Sequence, residues 1–486
     1  MSLKIYNSLT HTKEEFKPLV KGRVGIYVCG PTVYSHSHIG HAKSYVSFDV
    51  IVRYLRYRGY NVTYVQNITD VGHLLGDLDE GEDRLLRQAR LEQKHPMEIA
   101  ETYARSYFED MDTLNILRPD ISPRATGHII EQIEIIKTLI DKGYAYEVNG
   151  SVYFDVAKDA EYGKLSGRNT EEAEPGTRVE VRAEKRHPND FALWKKASPE
   201  HIMQWSSPWG MGFPGWHIEC SAMSMKYLGE TFDIHGGGMD NQFPHHECEI
   251  AQSECATGKP FVRYWIHNNL VTVGGKKMSK SLGNVILLKD LFKKYHPLII
   301  RFFILQSHYR STLDFTDEAL EGAAKGWEKL MNTMRNIKLG LLKKDGLKRG
   351  TQGTQIDLNG FKSAFLEAMD DDFNTAHAIA VLFDITHEVN SALSEGKVSK
   401  VLLEKVDSIL SELGGTVLGI IPVRLEPQSD AERSLEADLI QLIIDLRDEV
   451  RAQKLWSLSD KIRNGLTKLG IVVEDKKEGT IWRRTH

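Results

Sequence analysis

Cysteine is nearly absent. A chain of 486 residues carries only Cys29, Cys220, Cys248 and Cys255, which excludes a disulfide-stapled scaffold and points to a reducing compartment. No apolar run reaches the length of a membrane span, and the first residues, Met1-Ser-Leu-Lys-Ile-Tyr-Asn-Ser, lack the charged start, apolar centre and small-residue cleavage site of an export signal. A soluble, cytoplasmic protein is expected. An excess of one charge is also lacking: 62 Lys and Arg against 67 Asp and Glu leave a net of −5, so any contact with nucleic acid must be local. There is no internal repeat and no low-complexity block. What is present is an ordinary globular composition, 41% hydrophobic and 27% charged, with length for about two to four domains.

Residues 24–28 form a β-branched and aromatic run that stops at Cys29-Gly30-Pro31, as a buried strand entering a loop does. Tyr45, Phe48, Val52 and Leu55 then recur at helical spacing until Gly59, and residues 62–68 read as the next strand. This βαβ unit has its ligand crevice at the strand C-termini, beside Cys29 and Thr69-Asp70. Residues 119–210 change character: a helix over 129–142, short strand-like pieces, and a polar stretch over 167–186 that Gly and Pro interrupt. That segment reads as an insertion. Strand signals resume at 231–234 and 262–266, and the sheet is expected to end near Val273.

Beyond Thr316 the pattern is helical, over 317–341, 361–369, 375–394 and 398–413, with a flexible surface loop expected at 340–353. A Pro-bearing linker at 421–428 precedes a last unit with a long helix over 431–456 and a shorter one over 459–469. The expected architecture is α/β. A Rossmann-type parallel-sheet catalytic domain (1–118 and 211–273) is split by an inserted domain (119–210) and followed by a lysine-rich loop region (274–315). A helical bundle (316–420) and a small C-terminal domain (429–486) complete it.

Two stretches suit polyphosphate chemistry. His38-Ile39-Gly40-His41 lies where a loop enters a helix, so two imidazoles face the positive end of a helix dipole and Gly40 admits close approach. Lys276-Lys277-Met278-Ser279-Lys280-Ser281-Leu282-Gly283-Asn284 follows Gly274-Gly275 and can fold its lysines over a triphosphate as pyrophosphate charge develops. Taken singly, the histidines are better read as a polar first turn and the lysines do not outweigh a solvated basic loop, and neither stretch fits a Walker loop or a Gly-x-Gly-x-x-Gly fingerprint. His36 reads as surface. His245 and Glu249, four apart on an expected helix, can converge on an ion. Spacing alone does not join Cys29 to Cys220, for which two buried packing cysteines are the default.

As a pair, His38-Ile39-Gly40-His41 and Lys277-Met278-Ser279-Lys280-Ser281, more than two hundred residues apart with a helix bundle after them, resemble the signatures of class I aminoacyl-tRNA synthetases. Cys29-Gly30-Pro31-Thr32-Val33-Tyr34, Asn67-Ile68-Thr69-Asp70-Val71, Gly215-Trp216-His217-Ile218-Glu219-Cys220-Ser221 and Phe243-Pro244-His245-His246-Glu247 narrow the resemblance to the cysteinyl-tRNA synthetases. It extends over essentially the whole chain, including Trp456-Ser-Leu-Ser-Asp460.

The resemblance implies a ligase that activates L-cysteine with ATP, Mg2+ assisting, and passes the acyl group to the terminal adenosine of tRNA(Cys). It puts one Zn2+ per chain on Cys29, Cys220, His245 and Glu249, leaving Cys248 and Cys255 structural. Such an ion would select the substrate thiolate over serine's hydroxyl, a distinction that pocket volume cannot make; the substrate would expand the metal shell or loosen Glu249.

His38, His41, Lys277 and Lys280 take the catalytic roles, with Gly40, Gly238, Asp240 and Lys280 at ATP beside the two histidines, and Thr69 and Trp216 in the amino-acid pocket. The bundle meets the anticodon stem and the last unit the anticodon, where Arg447, Arg451, Lys454, Trp456, Arg463, Lys468, Trp482, Arg483 and Arg484 suit phosphate contacts and stacking, although a mixed-charge solvated helix suits them as well. A monomer is the family expectation. Ser35 and Lys43 depart from the acidic residue and arginine that many members carry there, and residues 72–84 lie in a divergent stretch. The rivals are a cysteine ligase acting on an amino-sugar acceptor, against which residues 316–486 argue, and a non-catalytic RNA-binding paralogue, against which the intact signatures argue.

Overall fold

The N-terminal hairpin of β1 (Lys4–Asn7) and β2 (Thr12–Glu15) precedes β3 (Arg23–Val28), α1 (Ile39–Tyr57) and β4 (Asn61–Gln66). These come from a computed structural model that describes residues 2–73, 83–168, 184–279, 282–342, 356–422, 430–476 and 479–484. The chain divides into two compact units, Met1–Pro422 and Val423–His486.

In the first unit, α2 (Arg84–Glu92), α3 (Pro96–Thr113) and α4 (Ile129–Asp141) follow β4. Next come β5 (Ala145–Val148), β6 (Ser151–Phe154), β7 (Phe191–Lys196), β8 (Trp205–Ser207) and β9 (Gly210–Pro214), paired antiparallel in the order β5-β6-β7-β9-β8. The short strand-like pieces of the sequence are thus one five-stranded sheet. Ile136, Leu139, Val152, Phe154, Leu193 and Trp194 form its core together with Cys248 and Ala251, which seats the insertion on the catalytic domain. Most of the polar stretch at 167–186 lies outside the described residues.

The chain then returns through α5 (Trp216–Leu228), β10 (Phe232–Gly238), α6 (Glu247–Thr257) and β11 (Val262–Asn268). The central sheet has the order β11-β10-β3-β4, all parallel. From β3 the chain moves one way to β4 and later the other way to β10 and β11. Their boundary is therefore the switch point where a doubly wound sheet opens its crevice.

The parallel sheet ends at Asn268 rather than near Val273. Asn269 turns to bond Tyr309, its N donating to the carbonyl oxygen at 2.9 Å, and β12 (Val271–Val273) joins β13 (Lys276–Lys277) and β14 (Leu313–Phe315) in a separate sheet. Between β13 and β14 lie α7 (Leu288–Phe292) and α8 (Pro297–Leu305). The helical region is α9 (Asp317–Leu342), α10 (Leu358–Asp370), α11 (Thr375–Ser394) and α12 (Lys400–Leu410). Residues 343–355, most of the expected surface loop, lie outside the described residues, as do 423–429 of the expected linker.

The second unit contains α13 (Asp430–Ala452), α14 (Trp456–Lys468), β15 (Ile471–Lys476) and β16 (Gly479–Arg484). The sequence suggests one helix through Trp456. Instead the chain breaks at Lys454, whose φ is +59°, and α14 begins at Trp456, a break that neither Gly nor Pro marks. The closing hairpin is also unforeseen. It packs Ile471, Val473 and Trp482 on Ile440, Ile444 and Leu466.

Candidate active site

Cys29 leaves β3 at the switch point, its N–H donating to the Gly236 carbonyl oxygen of β10 at 3.0 Å. Two glycines are required here by contact. A Cβ on Gly30 would lie 1.6 Å from the Asn67 carbonyl oxygen, and one on Gly236 would lie 2.2 Å from the Phe48 ring of α1. β10 continues through His235-Gly236-Gly237-Gly238, beyond the expected end at Ile234, and Asp240 sits exposed on the 3-10 turn that follows (Met239–Asn241).

Below this rim lies a buried cluster built from four elements. Cys220 comes from α5; His245 lies in the tight turn (Gln242–His246) before α6, and Glu249 in its first turn. Cys29 Sγ lies 3.9 Å from Cys220 Sγ and 3.7 Å from Glu249 Oε1, which lies 3.2 Å from His245 Nε2. All four ligand atoms fall within 4.8 Å of one another. The edges of a tetrahedral site with bonds of about 2.0–2.3 Å measure about 3.3–3.8 Å, close to these separations.

A second set, Cys29, His235, His246 and Glu249, is equally compact. Its His235 Nε2 to Glu249 Oε2 contact of 2.8 Å is a hydrogen bond, shorter than a coordination edge, so His235 orients Glu249 from behind. His217 likewise meets His245, Nδ1 to Nδ1 at 2.8 Å, leaving Nε2 to face the cluster. His267 meets His246, Nε2 to Nδ1 at 2.8 Å. Buried ligands commonly have such outer partners. The sequence alone does not single out His217, His235, His246 or His267; only the run of histidines in buried segments hints at them.

Burial pushes the Cys29 and Cys220 thiols and the Glu249 carboxyl up, and pushes His245 and His246 down. Burial also lowers His235 and His267 to about 3. Without a cation every member favours its neutral form, and a divalent ion reverses that preference for the thiols and the carboxyl. The residues fit a soft or borderline divalent metal.

Above the cluster, His38 caps α1 with extended backbone rather than sharing its face, and its ring stacks on His41 at 3.8 Å. Ile39 N–H donates to the Ile286 carbonyl oxygen and Leu288 N–H to that of Ser37, each at 3.0 Å. These bonds join the histidine segment to the chain just after the lysine loop. A Cβ on Gly40 would come within 3.2 Å of Met278 Cε, so the two motifs touch at that point. Lys277 ends the exposed strand β13, while Lys280 lies outside the described residues. His36 is half-buried, with Nδ1 2.8 Å from Ser106 Oγ.

Beside the cluster, Trp216 opens α5 and lies between His73 at 4.0 Å, stacked, and His245 at 4.3 Å. Thr69 Oγ1 accepts from Asn67 Nδ2 at 3.0 Å. His73, a further residue that the sequence does not distinguish, bonds Thr32 Oγ1 at 2.6 Å. Trp216, expected in the amino-acid pocket, thus lies directly against His245 of the expected metal set.

Residues 15–325 match the model of the tRNA synthetases class I (C) catalytic domain, and 364–422 match the DALR domain. The cysteine–tRNA ligase of Chlorobium chlorochromatii is 55% identical over 485 residues, 99% of each chain. The chain belongs to the cysteine–tRNA ligases. A Thermus thermophilus member is 51% identical over 483 residues, again 99% of each. Mycobacterium tuberculosis methionyl-tRNA synthetase in complex with methionyl-adenylate aligns with a TM-score of 0.60 at 16% identity, covering 82% of this chain and 91% of that one. That likeness places the fold among class I synthetases. Among the described residues of this family member, no helix is long and apolar enough to cross a membrane.

Of the basic residues expected to face tRNA, Arg447 is buried and bidentate on Asp475 at 2.8 and 2.9 Å, and Arg451 pairs with the same carboxylate. Both brace the second unit. Lys454, Arg463 and Lys468 are exposed, and Trp456 is 57% exposed. Trp482 packs inside the unit, and the side chains of Arg483 and Arg484 lie outside the described residues.

Proposed function

We propose that this chain charges tRNA(Cys) with L-cysteine in two steps and that Cys29, Cys220, His245 and Glu249 hold Zn2+ at the base of the amino-acid pocket. The convergence of these four side chains at the switch point, where β3 leads toward the helix that opens at the histidine signature, carries the reading. When bound, zinc supplies a borderline-soft centre that stabilises the cysteine thiolate and gives serine's neutral hydroxyl little.

The chain's own residues do the rest. Trp216 and Thr69 flank the amino acid and set its carboxylate toward ATP. His38 and His41, at the positive end of α1, bind the phosphates and the charge that develops as the carboxylate attacks the α-phosphorus. Lys277 and Lys280 close over the departing pyrophosphate, and Asp240 on its turn after Gly238 accepts from the ribose hydroxyls. Mg2+ accompanies ATP. Such chemistry depends on alignment and charge more than on a nucleophile of the protein. The bundle meets the tRNA stem, and the second unit offers Trp456 for stacking with Lys454, Arg463 and Lys468 for phosphates. We assign the chain to the cytoplasm, acting as a monomer.

Cysteine-dependent ATP/pyrophosphate exchange tests this reading, with serine as the control and transfer to tRNA(Cys) as the second step. Exchange is expected with cysteine alone and is expected to fail after zinc removal. Equal exchange with serine, or exchange without zinc, overturns the metal assignment; exchange without transfer overturns the tRNA assignment.

A further inference from the structure

We propose that Asn284 is a positioning residue for adenylate formation, its carboxamide holding the backbone of Lys277 and Ser279 so that Lys277 is aimed at the triphosphate. The inference rests on the function proposed above. Asn284 Oδ1 accepts from Ser279 N–H at 2.8 Å, and its Nδ2 donates to the Lys277 carbonyl oxygen at 3.2 Å. One side chain thus spans the loop and holds both sides of Met278, the residue that approaches Gly40.

The loop is anchored at both ends by other groups. At its base, β12 and β13 turn at Gly274 and Gly275, with φ of +56° and +75°. There Asp314 Oδ1 accepts from Thr272 Oγ1 at 2.6 Å and from Gly275 N–H at 2.8 Å. At its exit, Ile286 and Leu288 bond the segment around His38. Asn284 acts between these anchors, where the direction of Lys277 is set.

Asparagine suits this task because it offers an acceptor and a donor on one uncharged plane. Aspartate would keep the acceptor but turn a second oxygen toward the Lys277 carbonyl. Alanine would lose both bonds. Asn284 touches neither the metal cluster nor Trp216 or Thr69 in the hydrogen bonds it makes, so its removal should leave cysteine binding alone.

The test measures cysteine-dependent ATP/pyrophosphate exchange on the full-length zinc-loaded chain, comparing wild type with Asn284→Ala and Asn284→Asp. Two neutral hydrogen bonds predict a fall in kcat of about tenfold for Asn284→Ala and a larger fall for Asn284→Asp. The KM for cysteine and the thermal midpoint should stay at the wild-type values. An active wild type with Asn284→Ala at wild-type kcat overturns this proposal alone. So does a loss that appears equally in cysteine KM and thermal midpoint, which would mark a merely structural residue. A wild type inert with cysteine and ATP overturns the parent function and this inference with it.

Discussion

Cys220 is the single residue at which the proposed metal site is most directly tested. Its thiol is raised by burial and lies against Cys29, a setting in which only a cation makes the thiolate the favoured form. Cys220→Ser should reduce bound metal well below one ion per chain and raise the KM for cysteine by at least about tenfold, while the KM for ATP stays near wild type. Elemental analysis and exchange kinetics check this. Lys43 carries a different prediction. Burial pushes its ammonium down to about 8, and its Nζ donates to the Ser311 carbonyl oxygen at 2.5 Å. The unfolded chain keeps that proton up to about pH 10.4, so from about pH 8 upward the unfolded state binds more protons and folding stability rises. Relative to Lys43→Met, the wild type should gain about 2 kcal/mol between pH 7.5 and 10, read from urea unfolding at both values. Cys29, His245 and the signature residues could be found in the sequence because motif context places them. His73 could not, and His217 stands in a quoted segment without a role, since a histidine in an apolar segment looks alike whether it packs or aims a ligand.

At the scale of elements, α1 is fixed by a buried ion pair. Asp49 of α1 meets Arg301 of α8 with both side chains inaccessible. Arg301 also donates to the carbonyl oxygens of Leu418, Leu114 and Asn115 at 2.8, 3.2 and 3.1 Å. The helix that carries His41 is thereby tied to α8 and to the end of the bundle. Arg301→Met should cost about 3–5 kcal/mol, because three buried carbonyls would lose their donor and Asp49, still paired with Arg53 at 2.7 Å, would lose one of its two cations. Adding Asp49→Leu should recover only part of this, since three carbonyls still lack their donor and Arg53 and Leu117 N–H lose their acceptor; urea unfolding of the single and double variants measures the recovery. β3, α1 and β4 were legible from hydrophobic period. The five-stranded sheet was not, because strands of three to six residues are too short to show alternation. The break at Lys454 escaped because neither Gly nor Pro stands there, and the final hairpin escaped because its strands, Ile471–Lys476 and Gly479–Arg484, lack strict apolar–polar alternation although Gly479 stands where they meet.

At the scale of the whole molecule, the catalytic crevice lies entirely within the first unit, and the second has its own small core. A chain ending at Pro422 should keep cysteine-dependent exchange within about threefold of wild type and lose charging of tRNA(Cys) by at least about a hundredfold, because the phosphate and stacking contacts of the second unit are gone. Exchange and aminoacylation assays on the truncated chain check the two halves of that statement. Shifts in period along the chain separate the strand-bearing part before Thr316 from the helical stretch after it. The way distant segments meet was not, because hydrogen bonds such as Ile39 to Ile286 leave no pattern in composition.

Those pairings between Ser37–Ile39 and Ile286–Leu288 also have a bearing on synthesis at the ribosome. The segment that bonds the histidine signature is made about two hundred and fifty residues after it. A nascent chain halted before residue 286 therefore presents Ser37 and Ile39 without these partners, and on the proposed reading it should show no ATP/pyrophosphate exchange.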